Sequence, residues 1–203
     1  EVVISAAARA LSHCREGWVY GLLHDLARRH HLQGVLGGLG SFRRVESVPV
    51  FVDALQEDEL RPIAEAVLRA FGPTARPGLI AAAREGGGAR YESDSHLRKR
   101  RSALALLVDA GVSDRDWLLL RPLVDEADHR IVLLACELGM KAGDASDLAH
   151  IRSRLRAIRP DAMWMHRDRI DRLLRAQGPR EAARVTIGGA EASRRSSPDG
   201  WKA

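Results

Sequence analysis

Three arginines near the carboxyl end of the chain have a spacing that suits the binding of anions. Arg152, Arg156 and Arg159 fall on one side of a helix predicted from about residue 146 to 158, next to the apolar face that begins at Ile151. A guanidinium group donates forked hydrogen bonds to phosphates and carboxylates. These three residues are therefore the predicted binding site, and the competing interpretation is a solvated basic face.

A second basic run, Arg98–Lys99–Arg100–Arg101, occurs earlier in the chain. Four consecutive residues spread around a helix instead of lining up on one side of it. We expect this run to be solvated as well.

The adjacent pair His24–Asp25 resembles the HD dyad of metal-dependent phosphohydrolases, in which such a pair ligates a metal together with a further His and Asp. His13 lies too close upstream for that arrangement, and no second ligand pair is evident downstream. His31 shares a helical face with His24, but a metal centre needs three or four converging ligands. We predict surface histidines, with no metal and no cofactor.

Other residue types that carry chemistry lack the context for catalysis. Cys136 lies in an apolar helical run, so we expect a core thiol and not a nucleophile. The glycine-rich stretches 36–40 and 86–88 lack the lysine and hydroxyl residue of a phosphate loop. No catalytic residue is predicted, and a non-enzymatic protein is the first hypothesis.

The elements that position these residues are predicted to be helices. Between Trp18 and Ala27, apolar residues occur at Val19, Leu22 and Leu26, which is the spacing of an amphipathic helix. The same spacing recurs over 63–71, 97–108, 119–124 and 148–158. No segment sustains the alternation of a strand, so the predicted fold class is all-α.

Glycines divide these helices at a regular interval. Gly40, Gly72, Gly111 and Gly139 are each predicted to close an apolar helix, and they are separated by 32, 39 and 28 residues. Periods of this size are typical of arrays of helical pairs.

Four segments resemble helices of the HEAT-repeat family. Residues 58–72 resemble the first helix of a HEAT repeat and 74–83 the second, while 128–139 resembles another first helix and 48–55 an earlier second helix. The resemblance implies an α-solenoid of about four HEAT-like helical pairs. Stacked pairs of this kind form extended surfaces that hold other proteins.

The resemblance also implies structural roles for four residues. In that family an Asp at the start of a helix can cap it, and an Arg two or three residues later can tie neighbouring repeats together. These roles would fall to Asp58 and Arg61, and to Asp128 and Arg130. A capping carboxylate accepts hydrogen bonds from the unpaired amides of the first turn.

Composition is consistent with a globular helical protein. The 203 residues are 45% apolar and only 4% aromatic, so the core must consist mainly of Leu, Ala and Val. The net charge of +5 comes almost wholly from arginine, which points to a bacterial-like, GC-rich composition more than to nucleic-acid binding.

Two cysteines cannot form a disulfide framework, and no apolar run is long enough for a membrane span. We expect a cytoplasmic protein without membrane contact.

Together these features predict amino-terminal helices over 1–31 that form a cap or a preceding repeat, HEAT-like repeats over 32–176, and a flexible tail or linker over 177–203. The predicted function is a non-enzymatic scaffold that binds another protein. One alternative is a basic HEAT-like protein that binds DNA or RNA, like the HEAT-like DNA glycosylases, with Trp18, Trp117 and Trp164 stacking on bases. The other is the metal-dependent HD-type hydrolase.

Overall fold

A computed structural model of the chain describes residues 2–86 and 92–176, and the predicted tail over 177–203 lies outside the described residues. Every regular element in the described ranges is helical, which confirms the all-α prediction. The α-helices are α1 (Val2–Leu11), α2 (Gly17–Arg29), α3 (Gln33–Gly40), α4 (Val48–Ala54), α5 (Arg61–Phe71), α6 (Arg76–Arg84), α7 (Asp94–Ala110), α8 (Asp114–Leu120), α9 (His129–Ala142), α10 (Ala145–Ile158) and α11 (Trp164–Arg175). Short 3-10 turns span Val45–Ser47, Gly72–Ala75 and Arg121–Asp125.

Four of the helices begin at a side chain that caps them, and two end at a glycine with positive φ. Ser93 caps α7 and Asp128 caps α9, while Ser113 and Asp144 form capping boxes at the starts of α8 and α10. Gly72 and Gly111 follow α5 and α7 with φ of 58° and 73°, a conformation that favours glycine.

Gly139 does not close a helix, and this part of the glycine prediction is wrong. It lies inside α9, which continues to Ala142. Its missing side chain makes room for a neighbour, because a Cβ atom built there would lie 2.4 Å from Ile151 Cδ1 and 2.5 Å from Trp117 Cη2. The glycine marks a close contact between elements and not a chain reversal.

The helices pack mainly with their neighbours along the chain. One row consists of α1, α3, α5, α7, α9 and α11, each in contact with the next member of the row. The other elements contact this row through consecutive pairs, such as α2 with α3, α4 with α5, α6 with α7 and α8 with α9. Within the second row, α4 contacts α6 and α6 contacts α8. The buried leucines, alanines and valines between the two rows form one continuous core.

Candidate interaction surface

Two of the three predicted binding arginines attach α11 to α10. The Arg159 Nε and Nη2 atoms donate to the two carboxylate oxygens of Asp171 at 2.7 and 3.0 Å, and this hydrogen bonding lowers the pKa of Asp171. Arg152 Nη2 donates to the backbone oxygen of Ala176, just beyond α11, at 3.5 Å. Arg156 is exposed and has no partner among the described residues. The three arginine side chains therefore do not form a row of guanidinium groups that are all available to bind an anion.

The turn between α10 and α11 is held firmly by the chain around it. Arg167 donates from Nε to the backbone oxygen of Ala162 at 2.7 Å and from Nη2 to that of Pro160 at 2.8 Å. Ala162 is itself buried. Carbonyl groups of an irregular turn are thus bound by a side chain of the following helix, which fixes the geometry of the turn.

Three consecutive large apolar side chains are exposed where this turn meets α11, namely Met163 at the end of the turn and Trp164 and Met165 at the start of the helix, and we call them the Trp164 corner. Their exposed fractions are 55%, 72% and 47%. Exposed Trp and Met side chains are typical of protein–protein contacts, because aromatic residues and Met are enriched at the centre of such interfaces. Trp164 was expected from the sequence only as a base-stacking residue, and its place in an exposed apolar cluster at the start of α11 was not predicted.

Positive groups lie beside the corner. The pKa of His166 is lowered by burial and by the nearby positive charges of Arg130 and Arg169. The Arg169 guanidinium binds the Glu137 carboxylate with two hydrogen bonds, whereas Arg130 is exposed. The corner therefore has an apolar centre with exposed charges of both signs around it, among them Arg130, Asp161 and Asp168.

Of the four predicted repeat residues, Asp128 has the predicted role. Its carboxylate accepts hydrogen bonds from the backbone N–H groups of Arg130 at 3.1 Å and Ile131 at 2.9 Å. The Arg130 side chain makes no ion pair or hydrogen bond within the described ranges. The tie to a neighbouring element comes instead from Arg101 of α7, which binds both oxygens of Asp128.

Asp58 does not cap a helix, because the residue before α5 is Leu60 and no side chain caps that end. Arg61 Nη1 binds Asp58 at 2.6 Å, and Arg98 of α7 reaches the second carboxylate oxygen. Hydrogen bonding from Arg61 is the main reason that the pKa of Asp58 is lowered. As at Asp128, the ion pair that joins this segment to another helix is made by an arginine of the basic run in α7.

That basic run is not solvated, contrary to the expectation from the sequence. Each of its four members binds a carboxylate, and Lys99 and Arg100 are buried. Lys99 Nζ lies 2.8 Å from Asp53 and 2.7 Å from Glu85. Although burial lowers the pKa of Lys99, its hydrogen bonds to these carboxylates outweigh that effect and the pKa is raised.

Arg100 is the most buried charge of the run, with 1% of its surface exposed. It donates to Glu92 and Glu126 at 2.7 Å each and to the backbone oxygen of Ala83 at 3.0 Å. These contacts join the end of α6, the segment before α7 and the segment before α9. Each of the three guanidinium nitrogen atoms therefore donates to an acceptor, as a buried guanidinium group requires.

His24 and His31 line a cleft of about 370 Å³ next to α4, together with Arg28, Glu46 and Asp53. The neighbouring Asp25 is exposed and is not part of the cleft lining. The imidazole of His31 contacts the Glu57 carboxylate, and the ring of His24 lies 5.7 Å from that of Tyr20. Within residues 2–86 and 92–176, no three His, Cys, Asp or Glu side chains are grouped so that they could hold a metal ion.

The remaining predicted residues lie in the core or far apart. Trp117 is buried, and its indole N–H donates to the buried Asp147 carboxylate at 2.8 Å, so it cannot stack on a base. Burial raises the pKa of the Cys136 thiol to about 12, which confirms a core thiol. Thiols of such high pKa are poor nucleophiles at neutral pH.

Comparison with known proteins found no counterpart for this chain: no protein-family model, no curated protein and no solved structure matches it. Among the helices of the described ranges, none combines the length and apolarity needed to cross a membrane.

Proposed function

We propose that this chain is a HEAT-like helical-repeat scaffold that binds another protein, with the Trp164 corner as its main contact. The packing of helices in two rows supports this proposal, because arrays in which each unit contacts mainly its neighbours form extended surfaces. The single observation that carries the choice of surface is Trp164 itself, a 72% exposed indole at the first residue of α11.

The chemistry of the corner defines the partner. Met163, Trp164 and Met165 require an apolar pocket, and the nearby Arg130 favours acidic residues around it. A buried indole surrounded by water-excluding contacts is typical of residues that dominate binding energy. The partner is therefore a protein with an apolar pocket and an acidic residue placed to meet Arg130.

Binding of nucleic acid has less support than a protein partner. The main argument for nucleic-acid binding was a row of three arginines available to phosphates. Arg159 binds Asp171 of α11 instead, and Arg152 binds the backbone oxygen of Ala176. Trp18 belongs to α2 and Trp164 to α11, two helices without substantial contact, and Trp117 is buried.

Site-specific photo-crosslinking tests this function. A photoreactive side chain at position 164, introduced into the full chain in cells of the source organism, is expected to capture one abundant protein. The same side chain at Leu118, which is 63% exposed on α8, serves as the matched control and should not capture it. Trp164→Ala should weaken binding of the purified partner by at least about tenfold, and Leu118→Ala should not.

Nucleic-acid binding is measured in parallel with labelled DNA and RNA oligonucleotides. Tight binding at about 150 mM salt that is lost when Arg152, Arg156 and Arg159 are all replaced by Ala would favour the nucleic-acid alternative. Identical crosslinking patterns at positions 164 and 118 would contradict the proposed surface.

A further inference from the structure

The second row of helices is interrupted between α2 and α4. Within that row α4 contacts α6 and α6 contacts α8, whereas α2 and α4 have no substantial contact with each other. The cleft of about 370 Å³ lies in this gap, and we call it the α2–α4 cleft. The apolar part of its lining includes the buried side chains of Leu36 from α3 and Leu60 from the residue before α5. The cleft is therefore a consequence of how the helices pack.

The two sides of the α2–α4 cleft carry opposite charges. On the α2 side, the ionisable lining residues are His24 and Arg28, one helical turn apart, and His31 just after the helix. On the α4 side, they are Glu46 in the turn before the helix and Asp53 within it. The other lining residues in the described part of the chain are apolar. A basic side thus faces an acidic side across an apolar base.

Arg28 and Glu46 are the two charges of the cleft that remain unpaired. Both are exposed, and neither makes a hydrogen bond or an ion pair within residues 2–86 and 92–176. Opposite charges that share a cleft attract each other. However, α2 packs on α3 and α4 packs on α5, and this packing holds the two sides apart. A molecule that carries both charges can therefore bind both sides at once.

The other ionisable groups do not reverse the charge of either side. His31 contacts the Glu57 carboxylate, which leaves the guanidinium group as the permanent positive charge of the α2 side. Asp53 binds Lys99, and the same ammonium group also binds Glu85. Because two carboxylates share one ammonium group, the α4 side keeps a net negative charge.

We propose that the α2–α4 cleft binds a small zwitterion in which a carboxylate and an ammonium group are joined by an apolar body, such as a free amino acid. The carboxylate accepts forked hydrogen bonds from Arg28, and the ammonium group donates to Glu46 and Asp53. The apolar body packs against Leu36 and Leu60. A volume of about 370 Å³ is within the range of small-molecule sites, which combine an apolar lining with a few polar groups.

Isothermal titration calorimetry of the purified full chain tests the proposal. The probes are L-leucine, which holds its two charges close together, and 6-aminohexanoate, which holds them further apart. We expect saturable binding of at least one probe with a Kd below about 1 mM. Analogues that lack one charge should bind at least about tenfold more weakly, because a charge-assisted hydrogen bond is lost. These are N-acetyl-L-leucine and L-leucinamide for the first probe, and hexanoate and hexylamine for the second.

Two pairs of variants locate the site. Arg28→Ala should weaken binding of the probe at least about tenfold. Arg29→Ala should not, since Arg29 is a neighbouring exposed arginine outside the cleft lining. Glu46→Gln should also weaken binding, and Asp25→Asn is its control for the same reason. All four residues are exposed, so the circular dichroism spectra of the variants should be the same as that of the parent.

Three results would overturn the proposal. The first is the absence of binding of both probes at concentrations up to about 10 mM. The second is binding that persists when either charge of the probe is removed, since apolar contact alone would then hold the molecule. The third is binding that Arg28→Ala weakens no more than Arg29→Ala does. None of these measurements involves the Trp164 corner, so they leave the proposed function untouched.

Discussion

At the scale of single residues, the buried and half-buried cations of the basic run in α7 form ion pairs within the fold. Arg98, Lys99, Arg100 and Arg101 bind carboxylates 8 to 46 positions away in the sequence. Arg100 shows why these contacts have to be complete: removing one partner of a buried ion pair costs several kcal/mol, since the other charge is left without compensation. The arginine excess is therefore partly structural.

Asp128 should make the stability of the protein depend on pH. Burial opposes ionisation of its carboxyl group, but hydrogen bonds from Arg101 and from the amides of Ile131 and Arg130 outweigh burial and lower its pKa. A carboxyl group whose pKa is lowered by folding stabilises the folded state above its unfolded pKa of about 3.9, and this stabilisation is lost as the pH falls through the folded pKa. Asp128→Asn should therefore lower the melting temperature at pH 7 and flatten its decline below about pH 4.

Thermal unfolding monitored by circular dichroism between pH 2 and pH 7 measures both effects. Asp161→Asn is the control, because Asp161 is exposed and has no hydrogen bond or ion pair within the described ranges. Parallel curves for Asp128→Asn and the parent chain would show that the Arg101–Asp128 contact adds nothing to stability.

At the scale of elements, small residues determine how closely the helices approach. Gly139 allows α9 to contact both Trp117 of α8 and Ile151 of α10. Trp117 reinforces the same junction, since its indole N–H binds Asp147 at the start of α10. Three elements are thus joined around one glycine, and any side chain there has to displace an aromatic ring.

Gly139→Ala should destabilise the protein by about 1–3 kcal/mol through overpacking, although alanine favours helices more than glycine does. Gly37→Ala is the opposite case within α3, because its Cβ atom would meet no other atom within 4 Å. That substitution should stabilise the protein by about 0.5–1 kcal/mol. Chemical denaturation of both variants measures the two changes, and equal effects would contradict the close contact at Gly139.

At the scale of the whole molecule, packing between neighbours makes the centre of the rows more stable than the ends. Helix α7 contacts α4, α5, α6 and α9, and α9 contacts α7, α8, α10 and α11. By contrast, α11 contacts α10 and α9 alone among elements with substantial contacts. Local opening is easiest where few buried contacts have to be broken.

Hydrogen exchange followed by mass spectrometry should therefore show the slowest amides in α7 and α9 and faster exchange in α11. Arg159→Ala should accelerate exchange in α11 by no more than about fivefold, because exposed ion pairs such as Arg159–Asp171 contribute little to stability. Exchange in α7 should stay the same. Acceleration spread over all helices would indicate that the molecule opens as a single unit.

The sequence by itself determined the features that depend on residues close together in the chain. Helical periodicity was sufficient for the all-α class, and the cap at Asp128 was implied by the resemblance of 128–139 to a HEAT first helix. The buried thiol of Cys136 followed from its apolar neighbours. In each case the interacting groups lie within about one helical turn of each other, or share one amphipathic face.

Only the tertiary structure decided which polar and aromatic side chains are free. Lys99 and Arg100 looked solvated in the sequence, yet they are buried against Asp53 and Glu126, which are 46 and 26 residues away. Trp117 and Trp164 are both tryptophans followed by apolar residues, but Trp117 packs against Gly139 of α9, while Trp164 is exposed at the start of α11. Burial depends on which elements pack together, and periodicity within one helix carries no information about the helix that will cover it.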